Sequence, residues 1–504
     1  MRKKLPIFYS ALMLTGVNLL LRLVGTSFQV YLTSRIGAEG IGLLQLTLSV
    51  GGMAMVAGTA GIRTGTMYLT ADEIGRGKSE NVTWVLAGSI RYSLVCSAVV
   101  AGIVYFGAPF IATKWIRNEN VISSIRLYAA FLPMSCLCGV MVGYFTGASR
   151  IGTLAAVEVA EQLVCMLATI LLLTLWAGHD PGKSCLSVVF GSGIGTFLTL
   201  LCLIVLRIRE KPPTGPRIPI ARRLMDTAAP LAVADDLRTG ISTVENLMVP
   251  RRLALYPGSL TPLAAFGTVT GMVFPVLMFP AAFLFGLTEL LIPELARCNA
   301  AGSVTRIRYL VRNSLRIALL YGCVCGGILF LVAKPLCMAL YGSVEAGTYL
   351  QWFAPLAILL YCDAGTDAMI KGLGQQKASV RYNITTNIMD VAFLYFLLPR
   401  FGIFGYFLSF LVTHVINYIL SIRRLLKISG IRVPVMVPLL TGVGTIAAVF
   451  GAGFVSQPVL RAFAFLLLFL CLLILLGVLN KDDVLWLKGL LQKTSPTKEG
   501  HYII

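Results

Sequence analysis

The chain has 504 residues, 57% of them hydrophobic and only 13% charged, with a formal net charge of +20. Soluble domains carry roughly 25% charged residues, so this composition excludes a chain whose whole surface meets water. The basic excess would suit nucleic acid, but its distribution along the chain argues against that partner.

The first apolar run, 5–33, follows MRKK and lacks a small-x-small cleavage site, so it reads as a retained anchor. Within it Asn18, Arg22, Gln29 and Thr33 recur at steps near 3.6, with Gly25 and Thr26 between: a polar stripe on an apolar rod. A charge at mid-bilayer costs about 3 kcal/mol on insertion scales, so this stripe has to face other helices or a water-filled space. The run 41–69 carries Thr59, Arg63 and Thr66, with Thr70 just beyond it. Runs 82–110, 121–146, 153–178 and 185–207 follow, the third bearing Glu158, Glu161 and Gln162.

RIREKPPTGPRIPIARR (207–223) is basic and proline-rich, which suits an extended linker. Beyond it, run 228–255 carries Asp235, Arg238, Ser242, Glu245 and Asn246. Run 262–292 contains GMVFPVLMFPAAFLFG (271–286), where Pro275 and Pro280 predict a kink. Then come 313–340, 347–371 with Asp363 and Asp367 one turn apart, 383–399 with Asn383, Asn387 and Asp390, and 402–425 with His414. Runs 433–455 and 459–479 close the series. Each run is long enough for a helix to cross a bilayer.

The expected fold is therefore all-α and polytopic, with about 14 transmembrane helices: two pseudo-symmetric six-helix lobes plus two C-terminal helices. The expected units are 1–210, a linker 211–227, 228–426, two helices in 427–480 and a tail 481–504. GASRIGTLAAVEVAEQL (147–163) and GQQKASVRYNITTNIMD (374–390) read alike when Gly147 is set against Gly374 and Arg150 against Lys377. Six spans separate them, so the copies share one orientation, and a site is expected between the halves near midplane.

With the N-terminus inside, 28 of the 42 Lys and Arg fall on the cytoplasmic side, ten on the other, and Arg22, Arg63, Arg91 and Arg238 within spans. That bias is the positive-inside signature and puts both termini in the cytoplasm. The basic residues then report topology and attraction to anionic membrane lipids. The 12 cysteines are scattered and read as small buried hydrophobes, so no metal or cofactor is expected. Neither Walker A, HExxH nor GxSxG is present, and no catalytic residue is assigned.

Polar faces on both halves predict a shared hydrated cavity. Arg22, Arg63 and Arg238 make it partly electropositive, suiting a phosphorylated passenger, with Asn18, Gln29 and Glu245 beside them. Asp363, Asp367 and Asp390 are the candidates for ion coupling.

SRIGAEGIGLLQL (34–46), VPRRLALYPGS (249–259), GMVFPVLMFP (271–280) and LLIPELARC (290–298) resemble the stage V sporulation protein B family. That family lies within the multidrug/oligosaccharidyl-lipid/polysaccharide exporter superfamily, and the resemblance runs from residue 5 to about 480. It implies a V-shaped two-lobed bundle working by alternating access. It further implies a bacterial inner-membrane flippase, a monomer, that moves polyprenyl-pyrophosphate-linked sugars outward, with envelope-synthesis proteins as further partners. By position Arg22 and Arg63 look similar to cavity arginines of lipid II flippases, and the resemblance adds Arg252 to the candidates. GIRTG (61–65) departs from the proline expected near this place in sporulation-type relatives. A cation-coupled drug exporter of the same superfamily and a non-transporting scaffold for envelope synthesis are the alternative functions.

Overall fold

The structure, a computed structural model, describes residues 7–178, 180–210, 220–258, 261–431 and 436–478. The tail 481–504, most of the expected linker and the side chain of Asn18 lie outside the described residues.

Every regular element among the described residues is helical. The first half comprises α1 (Ile7–Thr59), α2 (Ile62–Gly75), α3 (Val82–Phe110), α4 (Ile122–Gly147), α5 (Ile151–Leu172) and α6 (Pro181–Arg209). The second comprises α7 (Ala221–Leu253), α8 (Pro262–Thr268), α9 (Phe274–Met278), α10 (Ala281–Ala300), α11 (Val304–Tyr341), α12 (Val344–Phe353), α13 (Leu356–Gly372), α14 (Gln376–Phe401) and α15 (Ile403–Ser429). Helices α16 (Met436–Gly453) and α17 (Pro458–Leu475) end the described chain.

A straight helix of 53 residues would run about 80 Å, over twice the hydrocarbon thickness. Helix α1 instead folds back at Gly37 (φ 77°, ψ 172°), a backbone setting that favours glycine. Its first arm covers the first expected run, whereas the second expected run, 41–69, is divided between the second arm and α2 by the break at Ala60–Gly61.

By length and apolarity nine helices could cross a membrane, or up to eleven if each bent pair is one span, among the described residues. This is fewer than the expected fourteen for two reasons. The two arms of α1 merge into one run with α2, Leu20–Gly75. Helices α7 and α14 are present where runs 228–255 and 383–399 were expected, but their polar residues keep them off that count.

Run 262–292 is broken as its prolines predict: the α8–α9 and α10 arms meet at 56°. Run 347–371 is also broken, by 52° between α12 and α13 at Ala354–Pro355. Gly402 (φ 58°) alone joins α14 to α15.

The two halves repeat, but in a register two positions away from the one the sequence match suggests. Left-handed backbone recurs at Gly77 and Gly302, Arg117 and Gly342, and Ser149 and Gly374. In that register Gly147 matches Gly372, not Gly374. A Cβ on Gly147 would lie 2.6 Å from Met67 O, and one on Gly372 would lie 2.9 Å from Ile292 O. Met67 and Ile292 are separated along the chain by the same step as Gly147 and Gly372. The sequence match pairs a close-packing glycine with a turn glycine.

The halves meet on their own symmetry axis. A Cβ on Gly42 would stand 2.3 Å from Leu263 O, and one on Gly267 would stand 2.0 Å from Ala38 O. Gly42 pairs with Gly267, and Ala38 with Leu263, in the same register, so each half gives the other the same contact, as across a two-fold interface. Helices α16 and α17 lie outside the repeat and pack on α11, where the Phe465 ring fills the space over Gly327.

Candidate functional site

The polar stripe of α1 lies against the broken segment of the second half. Gln29 Nε2 donates to Gly271 O (3.4 Å), and two turns away Arg22 Nη2 donates to Met278 O (3.2 Å). The Phe285 ring lies 5.9 Å from the Arg22 guanidinium carbon. Thr26 and Thr33 bond back to the carbonyls of Arg22 and Gln29 on their own helix. The proline break explains the acceptors. Past the break Ala282 N turns to Phe279 O and Phe283 N to Pro280 O, three residues back, so the Leu277 and Met278 carbonyls at the end of α9 are left to side chains, and Pro280 O keeps a second lone pair free. Tyr361 donates to Leu277 O (2.7 Å), Arg22 to Met278 O and Tyr321 to Pro280 O (2.7 Å). Among the described residues no carboxylate lies within 4 Å of Arg22.

Arg63 is exposed in the first turn of α2, just after the Ala60–Gly61 break. Its backbone is pressed to α4: a Cβ on Gly143 would meet Arg63 O at 2.3 Å. The guanidinium acts electrostatically on Glu158 of α5, which also feels Glu161. Gln162, one turn on, approaches Gly25 of α1, with 3.9 Å between Nε2 and a Cβ built there. Thr196 donates to Glu161 at 3.3 Å. Helices α1, α2 and α5 thus put one cationic and several polar groups on a common face.

Arg238 is exposed on α7, and no ion pair among the described residues joins it to Asp235 or Asp236. One turn and two turns on, Ser242 is exposed and Asn246 donates to Ser49 Oγ (3.0 Å) on α1. Arg252 lies fourteen residues past Arg238, about 21 Å along α7 at 1.5 Å per residue. It stacks on the Tyr395 ring, 3.7 Å from the centroid, and donates twice to Tyr395 O (2.9 and 3.1 Å). Arg251 donates to the carbonyls of Lys114 and Trp115 in the first half. The structure does not bring Arg252 together with Arg22 or Arg63.

The acids of the second half form a network the spacing alone does not reveal. The Glu245 carboxyl on α7 faces that of Asp390 on α14. Asp390 also accepts from Ser409 (2.5 Å) and Thr413 (3.3 Å) on α15. His414 follows Thr413, its Nδ1 3.9 Å from Asp363 Oδ2, and that oxygen accepts from Asn417 (2.8 Å). Asn417 also reaches Asn383 (3.2 Å). Asp363 Oδ1, His414 Nδ1 and Asn417 Oδ1 are buried without a hydrogen-bond partner. Asp367 is apart from this network, paired with Lys371 Nζ (2.6 Å) and Ser379. Sequence reading singled out Asp363 and Asp390 but missed Ser409, Thr413 and Asn417. Their period of four along α15 was the available signal.

Residues 8–235 match a family described as polysaccharide biosynthesis protein. Over 469 residues the chain is 22% identical to stage V sporulation protein B of Bacillus subtilis (strain 168), covering 90% of this chain and 89% of that one. Its fold matches a structure described as lipid II flippase MurJ in an inward closed conformation, with a TM-score of 0.65. Identity there is 11%, over 91% of this chain and 98% of that one. It equally matches an inward-facing multidrug resistance MATE family transporter of the MOP superfamily: TM-score 0.65, 15% identity, 83% of this chain and 100% of that one.

Proposed function

We propose that the chain is a stage V sporulation protein B-like member of the multidrug/oligosaccharidyl-lipid/polysaccharide exporter superfamily and that it flips a polyprenyl-pyrophosphate-linked glycan across the bacterial cytoplasmic membrane, with both termini inside. The likeness in sequence to stage V sporulation protein B and in fold to transporters of that superfamily supports this reading. The Lys and Arg bias supports the orientation.

The observation that carries the reading is the Arg22 guanidinium, held on Met278 O with no carboxylate within 4 Å among the described residues. A guanidinium in that setting can exchange a neutral carbonyl for a doubly charged pyrophosphate, the stronger acceptor. In the proposed cycle the pyrophosphate takes Arg22, with Arg63 as the second cation. The sugar occupies the hydrated space between halves, and the prenyl tail stays in lipid. Losing Arg22 frees a carbonyl of the broken segment, so cargo binding and the bend at Pro280 are coupled. The halves then rock about the Gly42–Gly267 contact.

The Glu245–Asp390 pair supports a proton as the coupling ion, because two carboxyls that face each other inside a span repel unless one carries a proton. Reconstitution into liposomes with a labelled lipid-linked precursor tests the reading. Arg22→Ala should reduce leaflet transfer by tenfold or more, on the order of the 1.5–3 kcal/mol of a charged hydrogen bond, with the amount of inserted protein unchanged. Full transfer by that variant overturns the ligand assignment. Transfer of amphipathic cations instead would favour the drug-exporter alternative.

A further inference from the structure

At the end of the bundle opposite the linker, the second half holds a cavity of about 400 Å³. Small-molecule sites run roughly 300–1,000 Å³. It lies where the last turn of α7, the start of α8, α12 and the α14–α15 junction meet. Its walls are aromatic: Tyr256, Tyr349, Trp352, Phe401 and Phe404, with Glu345 among them.

The rings are held in place. Tyr256 is pressed between two glycines, for a Cβ on Gly258 would lie 2.8 Å from its ring and one on Gly402 2.9 Å. Trp352 stands 5.7 Å from Tyr349 and edge-on to Phe404 at 5.8 Å. The Tyr349 hydroxyl donates to Glu345 Oε1 (2.5 Å), fixing the carboxylate. Trp352, Phe401 and Phe404 keep 36%, 48% and 44% of their surface exposed.

Aromatic residues gather at membrane interfaces in any case, but a belt does not account for this set. Belt rings face lipid singly, whereas these converge on a concave space containing a carboxylate. Nor does the repeat require them. In the register that pairs Gly42 with Gly267, the counterparts of Glu345, Tyr349 and Trp352 are Asn120, Ser124 and Leu127, although both segments begin alike at Asn118 and Ser343.

Aromatic faces with one acid would also suit an ammonium group. The surroundings oppose that. Arg252 and Arg400 lie on elements that meet here and Lys334 packs against Gly347 of α12, so three basic residues lie on the elements around the one charged lining residue, Glu345. These cations suit a ligand with an anionic group next to a neutral, hydroxyl-rich, ring-shaped one. A sugar ring has an apolar C–H face to lay on Trp352 and O–H donors for Glu345, which when ionised only accepts.

We propose that this cavity is a sugar-binding site at the far mouth of the transporter, receiving the glycan headgroup as it emerges. The assignment to cargo rests on the flippase reading; sugar binding itself does not.

The test uses full-length protein in nanodiscs, titrated with free N-acetylhexosamine disaccharide, free hexose disaccharide and tetramethylammonium, read by tryptophan fluorescence and calorimetry. Saturable disaccharide binding is expected, weakened about tenfold in Trp352→Ala and several-fold in Glu345→Gln. Thermal melting of each variant shows whether it is folded, and Glu345→Gln, a near-isostere, serves if the tryptophan variant is not. Disaccharide binding that neither variant weakens, no saturable disaccharide binding, or tetramethylammonium binding in its place overturns the proposal. If sugar binds with these dependences while no lipid-linked precursor is flipped, the flippase reading fails and the site stands.

Discussion

Among the described residues Arg22 ends on a carbonyl and meets no carboxylate, and this explains how the chain keeps a charge inside a span. Mid-bilayer placement costs about 3 kcal/mol. A charge-assisted hydrogen bond to Met278 O recovers about 1.5–3 kcal/mol, and the Phe285 ring adds about 0.5–1 kcal/mol. The terms nearly balance, so the residue is tolerated without being locked. A carboxylate partner would have held it too tightly to change ligands. The acids follow a different logic: Glu245 and Asp390 are paired with each other and with α15 hydroxyls. Glu245→Gln keeps a donor toward Asp390 but removes the exchangeable proton. It is expected to fold, with a melting temperature close to that of the unaltered chain, and to lose stimulation of transport by an imposed pH gradient. Unchanged stimulation would exclude the pair from coupling.

At the scale of elements, the polar helices do the interior work. Helices α7 and α14 are too polar to count as spans by apolarity, yet α7 reaches the first half through Asn246 and Thr243, and α14 supplies Asp390. The broken α8–α10 segment exposes carbonyls because of Pro280, and three side chains from three helices occupy them. Close packing sets the contact between the halves. Gly42→Ala should lower stability by about 1–3 kcal/mol, the usual cost of overpacking, since its Cβ would meet Leu263 O at 2.3 Å. Gly52→Ala, on the same arm with nothing within 4 Å, should be neutral or stabilise by up to about 1 kcal/mol. Thermal melting of the two variants in one detergent compares them directly, and equal melting points would contradict the packing argument.

For the whole molecule, the internal repeat puts a pseudo-two-fold contact at Ala38–Gly42 and Leu263–Gly267. Two rigid halves that rock must pivot or part there. A cysteine pair, Ala38→Cys with Leu263→Cys, made after replacing the 12 native free cysteines, should crosslink on oxidation. A bridge at a pivot leaves rocking possible, so transport should persist when the bridge forms. Transport that stops on oxidation and returns on reduction would show that the halves part at this contact. The fastening of α7 by Arg251 to the first half and by Arg252 to Tyr395 keeps that helix attached to both sides of the pivot.

Much of this was legible along the chain. Apolar runs of bilayer length, proline and glycine positions and the period of 3.6 are local properties, so they gave the helical class, the kink at Pro280 and the stripe bearing Arg22. The break at Pro355 was within reach of the same reasoning. The register that sets Gly147 against Gly372 needed coordinates, because a turn glycine and a packing glycine are the same letter in sequence. What Arg22 touches, which acids pair, and the aromatic cavity beside Tyr256 depend on residues far apart along the chain. Helical periodicity fixes which way a side chain faces on its own rod. Only the packing of rods against one another decides what it meets there.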